Sequence, residues 1–72
     1  PVSYMEGIYM IKVEIIGMGF MGCALAYAIK KSYQNSIIIG KDKNPENIQK
    51  CISYNLIQST IPKNWQPHFI FI

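Results

Sequence analysis

Arginine is absent from this 72-residue chain, and the seven basic residues are all lysines. They are scattered at 12, 30, 31, 41, 43, 50 and 63, with no stripe of interleaved aromatics. A net charge of +3 spread this way describes solvated faces, which argues against nucleic acid as a partner. Only two cysteines occur, Cys23 and Cys51, and their spacing suits neither a metal site nor a redox motif. So few thiols, without a signal-like segment, point to a reducing cytoplasm. No apolar run approaches the ~20 residues needed to cross a membrane. Charged residues make up only 15% of the chain while half of it is apolar, so disorder is excluded too. Internal repeats and low-complexity tracts are missing.

What is present is apolar material in a short chain. Domains of this size bury only about 60% of their unfolded surface. So much apolar sequence suggests a core shared with further residues. The chain starts at Pro1 and stops at Ile72 within an apolar run. We therefore expect it to be the N-terminal piece of a longer protein, with an extension over residues 1–10 and a partial nucleotide-binding domain over 11–72.

The organising stretch runs from Lys12 to Leu25. Ile11, Val13 and Ile15 alternate with Lys12 and Glu14, which predicts a strand ending at Ile16. Glu14 is the anomaly, because a central parallel strand is apolar on both faces; it is expected toward the exposed start of the strand. Gly17-Met18-Gly19-Phe20-Met21-Gly22 follows, a Gly-x-Gly-x-x-Gly turn leading into helix-forming residues. In such a turn Gly17 permits the tight bend, Gly19 lets a pyrophosphate approach the backbone, and Gly22 lets helix and strand pack closely. The N–H groups of the first helical turn then face the phosphates.

Helix A is expected from Phe20 to about Tyr33. Met21, Ala24, Leu25, Ala28 and Ile29 form its sheet-facing side, and Lys30 and Lys31 suit its C-terminal end. Ile37-Ile38-Ile39-Gly40 reads as a doubly buried second strand. Asp42 follows, twenty residues after Gly22, near the place where a dinucleotide fold keeps its ribose-binding acid. A carboxylate there repels a 2′-phosphate and favours NAD over NADP, with Lys41 and Lys43 leaving some room for NADP. Asn44 caps a second helix, Pro45 takes its first position and Glu46 its first turn. Ile48, Cys51 and Ile52 form its buried stripe, and Asn55 ends it in a left-handed conformation. Leu56-Ile57 is read as a very short third strand, 59–66 as loop, and Phe69-Ile70-Phe71-Ile72 as a fourth strand. The expected fold class is α/β: the N-terminal half of a Rossmann doubly wound parallel sheet, β-α-β-α-β-β, in strand order 3-2-1-4. Candidate cofactor-binding residues are Gly17, Met18, Gly19, Phe20, Met21, Gly22 and Asp42. No metal ligand set and no catalytic group is found. His68 reads as a loop residue, and Trp65 as one that packs across the sheet edge.

These residues resemble the nucleotide domain of prephenate dehydrogenase and its arogenate-using relatives. The resemblance is carried by Ile15-Ile16-Gly17-Met18-Gly19-Phe20-Met21-Gly22, by Leu25-Ala26, by Ile39-Gly40-Lys41-Asp42-Lys43-Asn44-Pro45-Glu46 and by Asn55-Leu56-Ile57. The Asp-x-Asn-Pro-Glu segment is the more telling part, since several reductases share the glycine turn. Cys23-Ala24 stands where the family often has Gly-Ser, and Asn55 where it often has Gly. The resemblance implies an NAD-dependent enzyme that oxidatively decarboxylates prephenate to 4-hydroxyphenylpyruvate in tyrosine biosynthesis. It also implies a homodimeric parent, with the catalytic histidine and substrate-anchoring residues beyond the stretch seen here. The 72 residues alone are expected to be inactive. Another reductase with the same turn, of the 3-hydroxyacid dehydrogenase or pyrroline-5-carboxylate reductase type, stays open. So does a non-catalytic nucleotide-binding remnant.

Overall fold

Alternating branched residues make β1, Ile11–Ile16, and a continuous β-branched run makes β2, Ser36–Lys41. The two pair in parallel from Ile11 opposite Ser36 to Ile16 opposite Lys41. Between them α1, Phe20–Ser32, provides the crossover; α2, Pro45–Ser53, follows β2; and β3, Phe69–Phe71, closes the order of elements. The computed structural model describes residues 10–72, so the extension expected over 1–10 lies outside the described residues except for Met10. β3 lies parallel to β1 on the edge away from β2, with Val13 opposite Phe69 and Ile15 opposite Phe71. The sheet order is β2-β1-β3. The chain is thus α/β, with a parallel three-stranded sheet and two helices, compatible with half of a Rossmann-like fold.

The helices share one face of the sheet. Val13, Ile15, Met18, Ala26, Ile38, Cys51 and Ile57 form one buried cluster against that face. Ile38 is wholly buried, and a side chain of that size contributes about 2 kcal/mol on leaving water. The side of α1 that meets the sheet differs from the expected one. Gly22 and Ala26 are buried and Cys23, Leu25 and Ile29 half-buried, whereas Met21 is 77% exposed and Ala24 and Ala28 face outward. The physical reason is close approach. Residues 22 and 26 lie one turn apart on the same face, and their small size lets α1 sit directly on β1.

α2 is built as its sequence suggests. Asn44 accepts a hydrogen bond from the Glu46 N–H at 3.0 Å, Pro45 occupies the first turn, and Cys51 is buried with Ile48 and Ile52 packed beside it. Its C-terminal end is a Schellman motif. Asn55 takes φ +59°, Asn55 N–H donates to the Ile52 carbonyl, and Leu56 N–H donates to the Cys51 carbonyl.

Leu56-Ile57 is not a strand. These residues belong to the turn after α2, with Ile57 plugged into the core. Contact with the outer edge of β2 is one hydrogen bond from Gln58 N–H to the Ile38 carbonyl at 2.8 Å. A residue pair committed to a helix-ending turn cannot extend a ladder. The chain then crosses to the other edge of the sheet. There His68 N–H donates to the Lys12 carbonyl, and Lys12 N–H donates to His68 Nδ1 at 3.0 Å. His68 therefore secures the start of β3.

Glu14 is 7% exposed and sits in the middle of the central strand, not at an exposed end. The face opposite the helices explains it. The Trp65 indole N–H donates to Glu14 Oε1 at 2.9 Å, and Lys41 Nζ lies 3.2 Å from Oε2. The indole hydrogen bond, followed by the Lys41 contact, outweighs the opposing effect of burial and lowers the Glu14 pKa from its ordinary value. Half-buried Trp65 reaches this face of the sheet through that hydrogen bond.

Candidate functional site

At the C-terminal end of β1 the ladder runs one step past the strand: Gly17 N–H donates to the Lys41 carbonyl at 2.7 Å. Gly17 then takes φ +102°, a conformation that side chains rarely adopt, and the chain turns off the sheet. Met18 is 1% exposed. Its side chain enters the core so tightly against Gly40 that a Cβ there would lie 2.8 Å from Met18 Cγ. Gly19 is the N-cap of α1, and no side chain caps the helix's first turn. A Cβ at Gly19 would meet nothing within 4 Å, whereas a Cβ at Gly22 would lie 2.0 Å from the Gly17 carbonyl oxygen. The three glycines thus have three physical duties. Gly17 bends, Gly22 admits close contact, and Gly19 leaves the approach to the helix start open.

Asp42, just past β2, is drawn into this turn. Its Oδ2 accepts from Met18 N–H at 2.6 Å and from Asn47 Nδ2 at 3.2 Å, while Oδ1 accepts from Asn44 N–H at 2.8 Å. The hydrogen bond from Asn44, then that from Met18, then that from Asn47 hold its pKa below the ordinary value of 3.8. A carboxylate offers about four acceptor positions. These bonds leave one on Oδ1. The acid therefore latches the glycine turn to the start of α2 and keeps a single acceptor for a ligand hydroxyl. Asn47 was not apparent in the sequence as part of this site; its position five residues after Asp42, on the first turns of α2, is the only signal.

A cleft of about 510 Å³ opens at the C-terminal ends of β1 and β2, lined by Ile16, Gly17, Lys41, Asp42 and Lys43. Parallel α/β sheets keep their ligands at this end of the strands. Gly17 and Asp42 line this cleft, whereas Gly19 and Gly22 lie outside its lining; Gly22 meets the Gly17 carbonyl, and the Met18 N–H bond ties Asp42 to the same turn. Three other candidates behave differently. Met18 gives its side chain to the core and its N–H to Asp42, while Phe20, 88% exposed, and Met21 project into solvent outside the cleft lining. Lys41 and Lys43 line the cleft with Asp42, and the Lys41 ammonium pairs with Glu14.

Among the described residues no cluster of three or more His, Cys, Asp or Glu could hold a metal ion. No described helix is long and apolar enough to cross a membrane. His68, held to Lys12 at the opposite end of β1, is remote from the cleft lining. Comparison with protein-family models, curated proteins and solved structures finds no match.

Proposed function

We propose that this chain is the dinucleotide-holding part of an NAD-dependent dehydrogenase of the prephenate or arogenate type. The observation that carries the reading is the glycine turn. Gly17 has positive φ, Gly22 abuts the Gly17 carbonyl, and Gly19 faces open space before an uncapped helix. A pyrophosphate suits such an N-terminus, where N–H groups and the helix dipole favour negative charge. The remaining acceptor on Asp42 suits a ribose hydroxyl, and its charge favours NAD over NADP. Bound NAD supplies the hydride acceptor. This chain's residues bind and orient, and the catalytic groups belong to sequence outside it. The two free thiols agree with a reducing compartment such as the cytoplasm.

Calorimetry with NAD tests the binding step on the parent chain and on Gly19→Ala, which the open space around Gly19 predicts to fold normally. The parent should bind, and Gly19→Ala should bind at least about tenfold more weakly, because a methyl group stands where the pyrophosphate approaches. A folded chain with no affinity for NAD overturns the reading. The activity is tested on the longer protein with prephenate or arogenate and NAD. Appearance of NADH supports the dehydrogenase assignment. Binding without turnover on either substrate would favour a non-catalytic nucleotide module or another reductase.

A further inference from the structure

Glu14 is the only buried carboxylate among the described residues, and the glycine turn makes no use of it. It stands opposite Ile39 in the ladder, and Lys41 lies two residues further along β2. Side chains alternate along a strand, so Glu14 and Lys41 share the sheet face that carries no helix. Asp42, the next residue, is held instead by the Met18 N–H in the glycine turn. Lys41 also lines the cleft with Asp42 and Lys43, whereas Glu14 lies outside the lining. The Lys41 ammonium is 3.2 Å from Glu14 Oε2, the one salt bridge among the described residues, while the Trp65 indole N–H donates to Oε1 at 2.9 Å. One of the two cations in the cleft is therefore already engaged by a buried carboxylate.

We propose that Glu14 is a specificity-determining residue of the cofactor cleft: by holding the Lys41 ammonium it withholds a cation from a 2′-phosphate and keeps the cleft selective for NAD over NADP. The inference rests on the dinucleotide reading. It gives Glu14 a positioning role, exerted through Lys41 and without contact to the cofactor.

A phosphate monoester carries about −1.5 to −2 charges at neutral pH and is recognised by donors that are themselves charged. Lys41 is not free to serve as one. Moving its ammonium to a ligand would leave the buried Glu14 carboxylate without its counter-charge, and that penalty opposes the move. The Trp65 hydrogen bond, and after it Lys41, lower the Glu14 pKa against the opposing effect of burial, so Glu14 stays ionised and keeps its hold at neutral pH. Charge balance points the same way. Lys41 and Lys43 are offset by Asp42 and Glu14; without Glu14 the cleft would gain one positive charge. Asp42 repels a 2′-phosphate directly, and Glu14 removes the attraction that would compensate.

The test is calorimetry with NAD and with NADP on the parent chain, on Glu14→Gln, on Lys41→Met and on the double variant. Glu14→Gln keeps the side chain's size and an acceptor for the Trp65 indole while removing the charge. It should bind NADP at least about fivefold more tightly than the parent does, because a freed ammonium reaches the phosphate. Its affinity for NAD should change by less than about twofold, since no 2′-phosphate is present. Adding Lys41→Met should return the ratio of the two affinities to the parent value. A merely structural Glu14 would move both affinities together. An unchanged ratio in folded Glu14→Gln, or a gain in NADP affinity that survives Lys41→Met, overturns the proposal and leaves NAD binding by the parent standing. A parent chain that binds neither cofactor overturns the dinucleotide reading and this inference with it. Should Glu14→Gln fail to fold by circular dichroism, Lys41→Met alone decides. An ammonium already committed to Glu14 contributes little, so NADP affinity should fall by less than about twofold, and a larger loss overturns the proposal.

Discussion

Gly22→Ala is the sharpest perturbation of this fold. The added methyl would lie 2.0 Å from the Gly17 carbonyl oxygen and 3.5 Å from Ile15 Cγ2. Real Cβ contacts are essentially never below 3.0 Å, so the first turn of α1 must withdraw from β1 by about 1 Å. The opposing atom is backbone, fixed by the Gly17 N–H bond to Lys41 and by the Asp42 latch on Met18, and cannot rotate aside. A gap of 0.5–1 Å forfeits roughly a quarter to a half of each contact across it, and Ala26, Leu25 and Ile29 lie on the same face. Overpacking of this kind costs about 3 kcal/mol or more. Alanine's better helix propensity returns about 1 kcal/mol at most. The net loss is therefore about 2–3 kcal/mol, a large fraction of the roughly 4–11 kcal/mol expected for a chain of this length. With a urea slope of about 1 kcal/mol/M, the unfolding midpoint should fall by roughly 2–3 M. Urea titration followed by circular dichroism measures this, with Gly19→Ala as the control expected to shift little. A Gly22→Ala midpoint equal to that of the parent would refute the close approach of α1 to the Gly17 carbonyl.

Other outcomes follow from the same contacts. Trp65→Phe removes the donor to buried Glu14 Oε1 and should destabilise by about 2 kcal/mol; a change below about 0.5 kcal/mol in urea titration would count against that hydrogen bond. Glu14 and Asp42 both have lowered folded pKa values, so the stability they contribute is complete above their ordinary values of 4.5 and 3.8 and is lost as pH falls through the folded ones. Urea midpoints should thus decline on acidification below pH 4.5, less steeply in Asp42→Asn, and a midpoint that holds or rises there would contradict the sign. Asn55→Gly relieves the positive φ at the end of α2 and should stabilise by about 0.5 kcal/mol, visible as a higher thermal midpoint.

Local chemistry accounts for most of what was readable beforehand. The glycine turn, the Asn44-Pro45-Glu46 helix start and the Asn55 end are decided within a few residues by φ preferences and side-chain-to-backbone bonds. They stand in the structure where the sequence placed them. The strands follow from β-branched runs in the same way. Leu56-Ile57 shows the limit: its apolar, β-prone pair is indistinguishable in sequence from a short strand, and the helix-ending turn takes it instead.

Contacts between distant residues were not readable. Periodicity limits α1 to an apolar side but does not choose its rotation; the Gly17 carbonyl, meeting Gly22, turns Met21, Ala24 and Ala28 outward. Glu14 looks misplaced in a central strand until Trp65, fifty-one residues later, arrives beneath it. Asp42 is recognisable as an acid at the right distance from the glycines, yet its bond to Met18 N–H needs β1 and β2 side by side. Composition and short-range patterns were enough for the class of fold and for the order of its elements apart from one absent strand. Which faces are buried, which charge is neutralised and how far Asp42 is already committed depend on long-range packing, because burial and hydrogen bonding are set by whichever partner the folded chain brings alongside.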